Sequence, residues 1–137
     1  MNILIADDIT DWARPLADRL VAAGHSAEIE FWGNEVVGRL KKGSFDLLLL
    51  DIFFAESDGA DATATIYPNV RMEFPDLPII IMSAQDSIEI VKTINWRQNM
   101  EDMACVIVPK VAGANFLIGY LDRFQQTGTL EDPSTLV

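Results

Sequence analysis

The chain has 137 residues, half of them apolar, and a mean hydropathy of +0.18, which fits one domain with its own core and excludes disorder over most of its length. Ten Lys and Arg stand against 21 Asp and Glu, a formal charge of −11 with no basic cluster, so direct binding to nucleic-acid phosphates or anionic membranes is disfavoured. No apolar run could span a bilayer, "MNILIADD" lacks the basic start of a signal peptide, and the lone Cys105 cannot pair within the chain, so a cytoplasmic, reducing setting is expected.

Five apolar runs alternate with helical patterns. "NILIA" at 2–6 reads as the first strand, followed by Asp7 and Asp8. A helix is expected over about 11–23, with Trp12, Leu16 and Leu20 on its buried face, Pro15 in its first turn and Gly24 as its stop. "AEIEF" at 27–31 reads as the second strand. A second helix should run from an Asn34 cap through Val36, Val37 and Leu40 to Gly43. "FDLLLL" at 45–50 is apolar at nearly every position, as a strand covered on both faces must be, and Asp51 follows at once. Between Gly59 and Pro75 a third helix is expected, either kinked at Pro68 or helical only after Tyr67.

"PIIIM" at 78–82 reads as the fourth strand, with Ser83 after it. A fourth helix is signalled by the capping box Asp86 and Glu89 and the stripe Ile90, Val91 and Ile94. "ACVIV" at 104–108 reads as the fifth strand, leading to Lys110. The last helix, about 112–126, should bury Phe116, Leu117, Tyr120, Leu121 and Phe124. This organisation predicts a domain over 1–126, then a flexible tail or the start of a linker over 127–137. Strands separated by helix-sized segments imply right-handed βαβ units: an α/β, doubly wound parallel sheet with helices on both faces.

In such sheets, functional residues gather outside the carboxyl ends of the strands. There the sequence places Asp7 and Asp8, Asp51, Ser83 and Lys110, while the second strand leads only to Trp32-Gly33. Crowded carboxylates raise one another's pKa unless a cation neutralises them, and Mg²⁺ suits one or two carboxylates, several waters and a phosphate oxygen. A carboxylate can also be a nucleophile toward phosphorus, in a reaction that asks chiefly for positioning and charge neutralisation. Asp51 is placed to attack, with Lys110 and the Ser83 hydroxyl to bind phosphoryl oxygens.

The motifs "ADD" at 6–8, "LLLLD" ending at Asp51, "DG" at 58–59, "MSA" at 82–84 and "PK" at 109–110 together resemble the receiver domain of two-component response regulators, the family of the small chemotaxis regulator. The resemblance covers about residues 1–126 and implies a flavodoxin-like strand order 2-1-3-4-5. It implies phosphorylation of Asp51 by a histidine kinase or phosphotransfer protein, with Mg²⁺, or Mn²⁺, held by Asp8, Asp51 and the backbone carbonyl of Phe53 and by Asp7 through water. It further implies that Ser83 and Lys110 follow the phosphoryl group, and that output partners bind the face of the fourth helix, fifth strand and fifth helix, where Trp96 and Ile107 fall. Beyond phosphorylating and dephosphorylating itself, such a domain is not an enzyme.

The sequence departs from the family's pattern at Ala55, where Pro is frequent, at Val111 after the lysine, where a cis-Pro is usual, and at Ile107, where an aromatic switch residue is expected. The span from Ser83 to Lys110 is longer than usual, with "NWRQNMED" at 95–102 as the apparent insertion. A protein-binding module of the same fold that signals without phosphorylation is the alternative these departures favour. A phosphohydrolase using Asp51 is opposed by Phe53, where a general acid commonly stands, and a nucleotide site by the lack of a Gly-rich loop.

Overall fold

The computed structural model describes residues 1–51, 66–83 and 102–133, with Ser83 described in its backbone alone. Five strands, β1 (Asn2–Ala6), β2 (Ser26–Glu30), β3 (Leu47–Asp51), β4 (Ile79–Ser83) and β5 (Cys105–Pro109), pair in parallel in the order β2-β1-β3-β4-β5. Around them lie α1 (Thr10–Ala22), α2 (Val36–Lys42), α3 (Ile66–Glu73) and a C-terminal helix (Gly113–Thr127). The expected doubly wound, flavodoxin-like architecture is the one observed.

Alternation along the strands divides the core in two. Leu4, Leu48, Leu50, Ile79 and Ile81 meet Val36 and Leu40 of α2 and Tyr67 and Val70 of α3. Ile3, Ile5, Leu47, Leu49 and Ile80 meet Leu16 and Leu20 of α1 and Leu117 and Leu121 of the C-terminal helix. β3 is buried along its whole length, which explains its unbroken leucines. Each buried Leu contributes about 1.5–3 kcal/mol of transfer free energy, enough to hold a charged residue at the strand's end.

Local details differ from the sequence expectations for physical reasons. α1 begins at Thr10, so Pro15 is its sixth residue and lies inside the helix, not in its first turn. The lost backbone bond and ring clash there cost about 3 kcal/mol, which the buried face of Ala13, Leu16 and Leu20 offsets. Gly24 does end the helix, taking a left-handed φ of 98° that other residues adopt at a cost. Asn34 does not cap α2: it lies in the 3₁₀ turn Gly33–Glu35, and the α2 N-terminus has no side-chain cap bond. In α3, Ile66 and Tyr67 are already helical, so the helix does not wait until after Tyr67, and Pro68 lies within it.

Beyond Thr127 the chain turns at Gly128 and lays Leu130 into the core beside Tyr120, whose hydroxyl donates to the Glu131 carbonyl. Arg123 Nε pairs with Glu131 at 2.6 Å. The expected fourth helix with Asp86 and Glu89, Trp96 and the rest of 95–101, Ala55 and the pair at 58–59 lie outside the described residues.

Candidate functional site

The carboxyl end of the sheet collects the predicted residues because three neighbouring strands stop there in register. Ala6 of β1 pairs with Leu50, so Asp7, one residue on, stands beside Asp51. Asp7 continues the ladder by donating its N–H to the Glu30 carbonyl at 3.1 Å. Its carboxylate accepts the Ile9 N–H at 2.9 Å, which fixes the turn into α1. One carboxylate oxygen from each of Asp7, Asp8 and Asp51 lies within 4.8 Å of the others. Asp7 and Asp51 are buried, and Asp8 is half-buried at the mouth.

Lys110 arrives from the other side. It opens a 3₁₀ turn, Lys110–Ala112, with no cis peptide bond among the described residues, and Gly113 at φ 87° redirects the chain into the C-terminal helix. The buried ammonium lies 2.7 Å from Asp7 Oδ2 and 3.6 Å from Asp51 Oδ1. Burial is the largest influence on Asp7 and raises its pKa, while the Lys110 bond works in the opposite direction. Ser83 closes β4 in register with Pro109, which brings its backbone to the same edge.

The structure therefore brings Asp7, Asp8, Asp51 and Lys110 together, and the Ser83 backbone with them. Phe53 lies outside the described residues. Ile107 is half-buried and packs against the core face shared with α2 and α3. Glu30, at the end of β2, is ionisable but committed elsewhere: it accepts Arg39 Nη1 at 3.0 Å and the Trp32 N–H at 3.1 Å. Sequence reasoning missed one residue. Trp12, read as core, carries Lys110 Nζ 5.3 Å above its ring centroid. Its signal was position: it stands four residues after Asp8, one turn into the helix that leaves the site.

Three oxygen donors around one small space are the donor set of a hard divalent ion, so the residues present fit Mg²⁺. The same arrangement leaves a carboxylate, Asp51, rigidly held beside a cation.

The family model for the response regulator receiver domain matches residues 3–105. Among curated proteins, the transcriptional regulatory protein ZraR of Salmonella typhimurium is 30% identical over 89 residues, covering 65% of this chain and 19% of that protein. The swarming motility regulation protein RssB of Serratia marcescens is 32% identical over 89 residues, 65% of this chain and 39% of that protein. The chain thus matches well under half the length of these relatives. The receiver domain of NtrX from Brucella abortus superposes with a TM-score of 0.73 at 24% identity, over 91% of this chain and 98% of that one. The receiver domain of the Francisella response regulator 1452 gives 0.72 at 20%, over 93% and 98%. At these identities the structural likeness concerns the fold.

Proposed function

The chain belongs to the response regulator receiver domains of two-component signalling, and from that premise we propose that it is a phosphoacceptor whose acceptor is Asp51. The observation that carries this reading is the cluster itself: three carboxylates within 4.8 Å, with the Lys110 ammonium 3.6 Å from Asp51. Asp8 and Asp51, with the Phe53 carbonyl and with Asp7 through water, would hold Mg²⁺ or Mn²⁺, which when bound would neutralise charge on the carboxylates and the phosphoryl group.

Transfer is an in-line displacement at phosphorus. An Asp51 carboxylate oxygen forms the new P–O bond while the donor's bond breaks, P–N in a phosphohistidine of the kinase or phosphotransfer protein and P–O in acetyl phosphate. The leaving group departs with the electron pair. Lys110 then donates to one phosphoryl oxygen, and Ser83 donates its hydroxyl to another. The added charge, close to −2, draws the turns after β4 and β5 inward and shifts the population of the output face, Ile107 and Trp96 included, toward a form its partner binds differently.

The setting proposed is the cytoplasm. No helix among the described residues is long and apolar enough to cross a membrane. Intact-mass measurement after incubation with acetyl phosphate and Mg²⁺ tests the reading. A single phosphoryl adduct is expected, absent with EDTA and absent in Asp51→Asn. A folded wild-type chain with no adduct from either acetyl phosphate or a histidine kinase's phosphohistidine would transfer the weight to a protein-binding module that signals without phosphorylation.

A further inference from the structure

Lys110 has a partner that the phosphoacceptor chemistry does not explain. Its ammonium is buried and touches two kinds of group: the carboxylates of Asp7 and Asp51, and the face of Trp12 at 5.3 Å. The carboxylates are the groups a divalent ion would occupy. Val111, next in the chain, is 88% exposed.

We propose that Trp12 is a positioning residue for Lys110, holding its ammonium beside Asp51 when a divalent cation draws the carboxylates away. The proposal rests on the phosphoacceptor reading above. Its physical basis is a difference in how the two kinds of partner attract a cation. A carboxylate binds through lone pairs, and a metal ion competes for the same oxygens while repelling the ammonium. An indole face attracts through its ring quadrupole, offers a hard dication no oxygen donor, and prefers the more weakly hydrated ammonium. With Asp7 drawn toward the metal, the ring continues to hold Nζ over the site until a phosphoryl oxygen on Asp51 accepts it. Trp12 acts through Lys110 and does not itself touch the reacting atoms.

Its location suits the task. Trp12 is in the first turn of α1, which the Asp7 carboxylate fixes by accepting the Ile9 N–H. The metal-binding loop and the ring that steadies the lysine therefore move as one unit. Trp12 is also half-buried against the core beside α1, so a packing role has to be separated from a positioning role.

Two variants separate them. Trp12→Phe keeps an aromatic face, and Trp12→Leu keeps apolar bulk without one. In ¹H–¹³C spectra the ε-methylene of Lys110 is expected upfield of the other lysines, shifted by the ring current, with and without Mg²⁺; Trp12→Phe should retain part of the shift and Trp12→Leu none. With Mg²⁺ and acetyl phosphate, adduct formation should fall in the order wild type, Phe, Leu. The Leu variant should be about fivefold slower, equivalent to about 1 kcal/mol, with thermal stability close to that of the Phe variant. An unshifted Lys110 in the wild type, or a Leu variant phosphorylated at the wild-type rate, overturns the proposal. A wild-type chain that shows the shift but accepts no phosphoryl group overturns the phosphoacceptor reading and supports the Trp12–Lys110 pairing by itself.

Discussion

The two ends of the sheet handle charge in opposite ways. At the amino end Arg71 of α3 is saturated: Nε donates to Asp102 at 2.7 Å, Nη1 to the carbonyls of Phe74, Pro75 and Leu77, and Nη2 to that of Ala104. Asp102 also accepts the Tyr67 hydroxyl and the Ala104 N–H. One cation meets one carboxylate, and each of its two Nη nitrogens has at least one carbonyl. At the carboxyl end, among the described residues, three carboxylates gather around one ammonium in a partly buried space. The first arrangement is complete and can only hold still. The second gathers more carboxylates than cations among the described residues, the setting in which we propose a dication to bind.

Breaking the saturated end should have the larger effect on stability. Arg71→Met leaves Asp102 without its counter-ion and takes the guanidinium donor from the Pro75 and Leu77 carbonyls. Removing one partner of a largely buried pair typically costs about 3–5 kcal/mol. Urea unfolding should show a loss in that range, because the two side chains are only 17% and 15% exposed. A loss below about 1 kcal/mol would mean that water replaces the arginine freely and that the amino end is no more fixed than an ordinary surface pair.

The contrast also explains what the sequence discloses. Strands could be read because burial on both faces leaves a run of apolar residues, although the hydrogen-bond ladder does not stop where apolarity does: β3, β4 and β5 each end one residue past the run, on Asp51, Ser83 and Pro109. β2 slips the other way, closing at Glu30 because Arg39 allows a carboxylate to be buried there. The acidic site was legible because its members sit at strand ends, where chain position alone fixes their neighbourhood. Arg71 and Asp102 were not, since they are 31 residues apart and nothing local distinguishes them from solvated charges. The second contact of Trp12 was not legible for a related reason: fourfold spacing correctly says which face a residue occupies, not that the lysine after β5 will cover its ring.

Binding a divalent ion at the carboxyl end should stabilise the fold by a comparable but smaller amount. An ion that binds only the folded chain contributes about 2.7 kcal/mol at a hundredfold excess over its dissociation constant. The unfolding midpoint should therefore rise on titration with Mg²⁺ and fall back with EDTA. Asp51→Asn removes one of three crowded carboxylates, so in EDTA it should be at least as stable as the wild type, and its gain from Mg²⁺ should be much reduced. Equal gains in both proteins would place the ion away from Asp51 and dissolve the contrast between the two ends.

The smallest effect tests whether the amino end tolerates a new charge. His25, just before β2, is buried; its Nδ1 lies 3.1 Å from the Met1 ammonium, and its Nε2 has no hydrogen-bond partner. Burial and then the adjacent ammonium lower its pKa, against the weaker pull of Asp122 from the C-terminal helix. The unfolded chain therefore binds a proton more readily than the folded one. That contribution to stability is fully present above the unfolded value near 6.5 and is lost as pH falls through it toward the lower folded value. Thermal unfolding followed from pH 7.5 to about 5.5, above the ordinary carboxylate range, should show a decline that His25→Gln lacks. The glutamine can accept from the Met1 ammonium but carries no titrating ring, so the two curves should converge toward lower pH. Parallel curves would show that water reaches the ring and screens it, and that the amino end, like the carboxyl end, has room for a charge it does not already balance.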